Sequence, residues 1–126
     1  MIQPLRIAVA DDEPDIRQYF HRLLPKLGYE VVGEAENGME LVELCRTTKP
    51  DLVITDVMMP EMTGIEAAAE ISKTQSIPII VLSSHERPAV DNNAEKVMRD
   101  CVVDYLRKPV SSSELQASIT KAFNAS

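Results

Sequence analysis

Five short apolar runs alternate with five stretches of helical periodicity along this chain of 126 residues. Each run has the length of a strand, and each is followed by apolar residues spaced three and four apart, as on one face of a helix. Parallel strands need a crossover connection, which a helix supplies. The alternation therefore predicts an α/β fold with a five-stranded parallel, doubly wound sheet and five helices. The predicted strands are Arg6–Ala10, Tyr29–Ala35, Leu52–Thr55, Pro78–Leu82 and Val102–Leu106.

The strand order of such a sheet cannot be read from the pattern of one sequence. For five strand–helix units the natural choice is the flavodoxin-like order 2-1-3-4-5, a three-layer sandwich in which the first and third strands are neighbours. A chain of this length builds one core, so we expect a single domain over residues 1–126.

Helix boundaries carry their own signals. The acids and proline of Asp11–Pro14 suit a helix start, because proline needs no N–H donor there and acids complement the helix dipole. This helix should end at Gly28, with Pro25 loosening its last turn. Ser111–Glu114 has the spacing of a capping box for the last helix, whereas Asp91–Asn93 weaken the start of the fourth.

Composition excludes several classes of partner. Thirteen Lys and Arg against 20 Asp and Glu give a net charge of −7, which opposes direct nucleic-acid binding by this domain. No apolar run approaches the length of a membrane span and Met1–Arg6 lacks the pattern of a secretory signal, so we expect a cytoplasmic protein without a membrane partner. Cys45 and Cys101 lie on apolar helical positions without metal-ligand spacing, which predicts reduced core residues.

Acidic residues follow two strands that are neighbours in the predicted order. Asp11 and Asp12 follow the first strand and Asp56 follows the third, at the sheet edge where α/β proteins bind ligands. Three adjacent carboxylates repel one another unless a cation intervenes, and Mg²⁺ prefers such oxygen ligands together with a carbonyl, here that of Met58. Alternatively, Asp11 and Asp12 only cap a helix and Asp56 only caps a turn, but their joint position favours the metal site.

Two further polar groups follow the fourth and fifth strands. Ser83 offers a hydroxyl, and Lys108 offers an ammonium group suited to a phosphate. Lys108–Pro109 is also a candidate cis peptide that would aim the lysine inward. A metal beside a carboxylate nucleophile such as Asp56 is an arrangement for phosphoryl transfer. Taken singly, Ser83 and Lys108 could equally be an ordinary strand-end hydroxyl and a surface lysine.

The strand-end residues and those around them form one set: Asp11, Asp12, Asp56, Met59, Pro60, Gly64, Ser83, Tyr105, Lys108 and Pro109. In these residues, and over nearly its whole length, the chain resembles the receiver domain of bacterial two-component response regulators. It implies that Asp56 is the phospho-acceptor and that Asp11 and Asp12 bind Mg²⁺ together with Asp56 and the Met58 carbonyl. The implied phosphoryl donor is a phosphohistidine on a sensor histidine kinase or a histidine phosphotransfer protein.

The resemblance also implies a switch. Ser83 and Tyr105 correspond to the pair in which the hydroxyl moves toward the phosphoryl group and the aromatic ring turns inward. The surface around helix four, strand five and helix five would then change for a downstream output domain or partner protein, and a phosphorylation-dependent homodimer is one form that this output can take. Cys101 and Val102 stand where the family usually has a Gly-Ala pair.

Other functions fit the sequence less well. A phosphatase of the haloacid dehalogenase type needs a second acid where Met58 stands, and the acids of Asp11–Glu13 would repel a flavin phosphate. A nucleotide hydrolase would need a GxxxxGK[ST] loop. The remaining alternative is an interaction adaptor that works without phosphorylation, whose mark would be a missing acceptor or lysine. We therefore predict a phospho-acceptor switch that catalyses its own phosphorylation and slow dephosphorylation, rather than a conventional enzyme.

Overall fold

The strands form one parallel sheet in the order β2-β1-β3-β4-β5, which confirms the predicted topology. The structure is a computed structural model and describes residues 4–84 and 92–124. The strands are β1 (Arg6–Ala10), β2 (Glu30–Ala35), β3 (Leu52–Asp56), β4 (Ile79–Ser83) and β5 (Val102–Arg107). The helices are α1 (Pro14–Lys26), α2 (Gly38–Thr48), α3 (Gly64–Ser72), α4 (Asn92–Cys101) and α5 (Ser112–Asn124).

The sheet separates two apolar clusters, as in a three-layer sandwich. One cluster joins its first face to α2 and α3, and the other joins its second face to α1 and α5. Every residue of β3 and β4 is buried, because helices cover both faces of these strands. The backbone that carries the polar side chains at the ends of β3 and β4 is therefore held in place by packing on both sides.

The helix ends agree with most of the signals in the sequence. Pro14 opens α1, which runs through Pro25 and ends before Gly28 at φ 94°. The capping box of α5 is present, with Glu114 N–H donating to Ser111 Oγ at 3.1 Å and Ser111 N–H donating to Glu114 Oε1 at 3.2 Å. The prediction about Asp91 lies outside the described residues. In the part of the chain that the structure describes, no helix combines the length and apolar character that a membrane crossing requires.

Two irregularities in strand register were not predicted. Ile7 pairs with Val31 but Ala8 pairs with Gly33, so β2 contains one extra residue at this point. Val32 and Gly33 therefore both lie toward α2, where a side chain at Gly33 would meet Leu44. The bulge turns the next residue, Glu34, toward α1. A second shift lies between β4 and β5, where Ile79 pairs with Val102 and Ile80 pairs with Asp104.

The two cysteines occupy different environments. Cys45 is fully buried between α2 and the sheet, as predicted. Cys101 was wrongly placed in the core, because it is half-buried at the last residue of α4, where Ser72 Oγ lies 2.9 Å from its Sγ. Both are free thiols.

We expect a thiol reagent to modify Cys101 but not Cys45 in the native protein. Burial raises the pKa of the Cys45 thiol to about 12, so at about pH 8 its thiolate fraction is roughly 10³-fold below that of an ordinary cysteine. Counting modified thiols by mass spectrometry should give one in the native protein and both after denaturation. Cys101→Ser should leave no reactive thiol, and modification of Cys45 before unfolding would contradict the prediction.

Candidate functional site

Three carboxylates meet at the carboxyl edge of the sheet. Asp11 follows β1 and Asp56 ends β3, and these strands are paired so that Ala10 lies opposite Thr55. One oxygen of each of Asp11, Asp12 and Asp56 lies within 4.8 Å of the others. Asp11 is fully buried and Asp56 is 6% exposed, whereas Asp12 is open to solvent. The structure thus brings together the acids that the sequence places far apart, in a group that solvent reaches from the side of Asp12.

Lys108 reaches into the same group from the end of β5. Its Nζ lies 2.6 Å from Asp11 Oδ2 and 3.5 Å from Asp56 Oδ2, and its side chain is 13% exposed. The Lys108–Pro109 peptide is cis, and the Lys108 N–H donates to the Ser83 carbonyl at 2.7 Å. Burial alone lowers the pKa of Lys108, but the hydrogen bond to Asp11 and the charge of Asp56 outweigh it and raise this pKa. The ammonium group therefore stays charged among the acids.

One ammonium group does not neutralise the acids. Burial and the charge of Asp11 together raise the pKa of the Asp56 carboxyl to about 6, because Lys108 only partly opposes them. Three carboxylates against one lysine leave two negative charges at one site. A donor set of carboxylate oxygens with this excess charge fits a hard divalent cation such as Mg²⁺, for which Asp11, Asp12 and Asp56 are the available side-chain ligands.

Two glycines allow the loop between β3 and α3 to pack closely against Asp56 and against α2. A Cβ at Gly64 would lie 2.1 Å from the Asp56 carbonyl oxygen, and a Cβ at Gly38 would lie 2.3 Å from that of Met62. The backbone can approach this closely only without side chains. The loop carries Met58, whose side chain is 62% exposed; the ligand role of the Met58 carbonyl stays a prediction.

Ser83 and Tyr105 lie at different depths. Ser83 is 3% exposed at the end of β4, one residue beyond Leu82, the partner of Asp56 in the sheet. Tyr105 pairs with Val81 and packs against the cluster under α2 and α3. Its hydroxyl is buried and has no hydrogen-bond partner among the described residues. Ser83 therefore lies at the carboxyl edge of the sheet beside Asp56, whereas Tyr105 lies two positions further from that edge.

Arg17 belongs to this edge but was missed in the sequence. Its Nη1 donates to the Asp11 carbonyl oxygen at 2.7 Å, while Nε and Nη2 lie 3.5 Å from Glu34 and 3.7 Å from Glu36. No motif marks a side chain that binds a backbone carbonyl. The available signal was its place next to Ile16, on the side of α1 that faces the sheet.

A family model and two related sequences all match this chain to response regulators. The family model for the response regulator receiver domain matches residues 7–120. Transcriptional regulatory protein PdtaR of Mycobacterium tuberculosis is 43% identical over 120 residues, 94% of this chain and 57% of that protein. Chemotaxis protein CheY of Thermotoga maritima is 38% identical over 117 residues, 92% of this chain and 95% of that protein.

Solved structures agree with these sequence matches. The response regulator domain of Thermotoga maritima CheB superposes with a TM-score of 0.84 at 30% identity, covering 97% of this chain and 98% of that one. Against several relatives the chain spans only about half of their length, 57% for PdtaR. The matched portion is therefore the part that these longer proteins share with this chain.

Proposed function

This chain belongs to the response regulator receiver domain family of two-component signal transduction, and on that premise we propose that it is a phosphorylation switch with Asp56 as its phospho-acceptor. The observation that carries the proposal is the group of Asp11, Asp12 and Asp56 around the Lys108 ammonium. We take residues 1–126 as one receiver domain. Such a domain is a phospho-acceptor rather than a conventional enzyme.

The chemistry is a transfer between two nucleophiles. An Asp56 carboxylate oxygen forms a bond to phosphorus as the N–P bond of a phosphohistidine breaks, and the histidine leaves with its electron pair. In this proposal the Lys108 ammonium and the Ser83 hydroxyl would bind oxygens of the transferred group. When bound by Asp11, Asp12, Asp56 and the Met58 carbonyl, Mg²⁺ supplies further positive charge to these oxygens. Slow attack of water on phosphorus breaks the bond to the Asp56 oxygen, which releases inorganic phosphate and returns the free carboxylate.

The state of Asp56 matters for this reaction, because only the ionised carboxylate is a nucleophile. With its pKa at about 6 in the absence of a divalent cation, Asp56 is already mostly ionised at neutral pH. Lys108 favours this form by its charge. A bound divalent cation would favour it further, so we propose that phosphorylation depends on Mg²⁺.

The switch follows from the new charge. A phosphoryl group at Asp56 carries close to two negative charges and three acceptor oxygens, which attract the Ser83 hydroxyl. Tyr105 lies on the neighbouring strand, and within residues 4–84 and 92–124 no hydrogen bond anchors its hydroxyl. We propose that Ser83 and Tyr105 together change the surface of α4, β5 and α5. A sensor histidine kinase or histidine phosphotransfer protein would be the donor, in the cytoplasm, and an output domain or partner protein would read this surface.

The decisive test is labelling with a small phosphodonor such as acetyl phosphate. The wild-type protein should gain one phosphate by intact mass when Mg²⁺ is present and none with a chelator, and hydroxylamine should remove it, as expected for an acyl phosphate. Asp56→Asn should abolish labelling. Asp51→Asn, at the opposite end of β3, is the matched control and should label normally. Labelling that survives Asp56→Asn would refute the proposal.

A further inference from the structure

The peptide that joins Asp11 to Asp12 is held by a side chain outside the acid group. Arg17 Nη1 donates to the Asp11 carbonyl oxygen at 2.7 Å, and the Arg17 side chain is only 15% exposed. On the other side of the same residue, the Asp11 N–H donates to the Ala35 carbonyl at 3.0 Å. Both backbone groups of Asp11 are therefore used, one by β2 and one by α1.

The two acids of this peptide differ in how they are held. Both carboxylate oxygens of Asp11 have partners, because Oδ1 accepts from the Glu13 N–H at 2.9 Å and Oδ2 from Lys108 at 2.6 Å. Among residues 4–84 and 92–124, no hydrogen bond or ion pair holds the Asp12 side chain. Within these residues Asp12 is therefore held only through its backbone, which begins at the peptide that Arg17 binds.

The positive charge of Arg17 pairs with carboxylates outside the acid group. The guanidinium faces Glu34, near the end of β2, and Glu36, the residue after that strand. Glu34 Oε2 also lies 3.2 Å from His21 Nδ1. These acids orient the guanidinium toward the Asp11 carbonyl. A positive charge near a cation site, taken alone, would weaken cation binding. Orientation and charge therefore predict opposite effects when Arg17 is removed.

We infer that Arg17 is a positioning residue that fixes the Asp11–Asp12 peptide so that both carboxylates can bind one divalent cation. The inference rests on the proposed metal site. Side chains that hold metal ligands in place typically affect metal affinity by 10- to 100-fold. For Arg17 we expect a loss at the lower end of this range, because its bond is to the ligand's backbone.

The test is a titration of the unphosphorylated protein with Mg²⁺, followed by calorimetry or NMR. Arg17→Gln should raise the Mg²⁺ dissociation constant about 10-fold, and Arg17→Lys should raise it less, since an ammonium group can still donate to the carbonyl. Arg22→Gln removes the same charge from an exposed position on α1 and should leave the constant within roughly twofold. At saturating Mg²⁺, the phosphorylation rate of Arg17→Gln should return close to that of the wild type.

The outcomes separate this inference from the proposed function. An unchanged or lower Mg²⁺ dissociation constant in Arg17→Gln would overturn the positioning role, even if the variant were less stable. If Arg17→Gln did not fold, Arg17→Met, which keeps the aliphatic chain but has no donor, would replace it, and an unchanged constant in that variant would overturn the role equally. Absence of Mg²⁺ binding by the wild-type protein would instead refute the metal site itself.

Discussion

Asp56→Asn is expected to make the protein more stable by about 3 kcal/mol at neutral pH when divalent cations are absent. Burial and the charge of Asp11 raise the pKa of the Asp56 carboxyl from 3.8 to about 6 in the folded protein. The folded state therefore binds the proton more tightly than the unfolded state does. Ionising Asp56 costs folding free energy at about 1.4 kcal/mol per pKa unit, and an amide does not incur this cost.

The pH dependence gives the sign of the effect. Between about pH 4 and pH 6 the folded state holds the Asp56 proton that the unfolded state has lost, so this carboxyl makes the wild type less stable as pH rises through that window. The advantage of Asp56→Asn should therefore be full above about pH 7 and disappear below about pH 4. Saturating Mg²⁺ should also reduce it, because the cation compensates the wild-type carboxylate.

Urea denaturation of both proteins at several pH values measures this difference. Asp100→Asn removes an exposed carboxylate at the end of α4 and should change the free energy of unfolding by less than about 0.5 kcal/mol. A variant that is no more stable than the wild type near neutral pH would contradict the electrostatic strain at Asp56. An advantage that persisted in acid would assign the gain to packing instead.

The acid cluster could be predicted because its members stand at strand ends. A buried strand such as β3 shows in the sequence as an apolar run, and the position of Asp56 at its end follows directly. The common strand order then makes the ends of β1 and β3 neighbours. Both steps depend on patterns that are local in the sequence, and the resemblance to a known family supported the same residues.

The environment of Arg17 could not be predicted, because it depends on a bulge. With strict alternation from Val31, Glu34 would lie on the α2 side of the sheet. The extra residue at Val32–Gly33 moves Glu34 to the α1 side, where it meets Arg17. A register shift of one residue has no signature in apolar periodicity beyond the glycine, which also fits a plain strand. For the same reason, the sequence did not predict the register shift between β4 and β5 that turns Asp104 toward Ser118 of α5.

Lys108→Met is expected to lower the free energy of unfolding by about 3–5 kcal/mol in a chelating buffer. Asp11 is fully buried, and the Lys108 ammonium at 2.6 Å is the cation that contacts its carboxylate within the described residues. Removing one partner of a buried pair leaves an uncompensated charge, which costs more than the pair itself contributes. The same variant should slow phosphorylation by about 10²–10³-fold, because the transferred group loses a charged donor.

A charge-matched control separates this effect from the loss of any surface lysine. Lys73→Met removes an ammonium whose side chain is 69% exposed and pairs with Glu70 within α3, so it should cost less than about 0.5 kcal/mol and leave phosphorylation unchanged. Saturating Mg²⁺ should restore part of the stability of Lys108→Met but little of its rate, because a cation beside Asp11 can replace the charge of Lys108 but not its bond to the phosphoryl oxygens. If Lys108→Met were no less stable than Lys73→Met in the chelating buffer, the ammonium would not be what compensates Asp11.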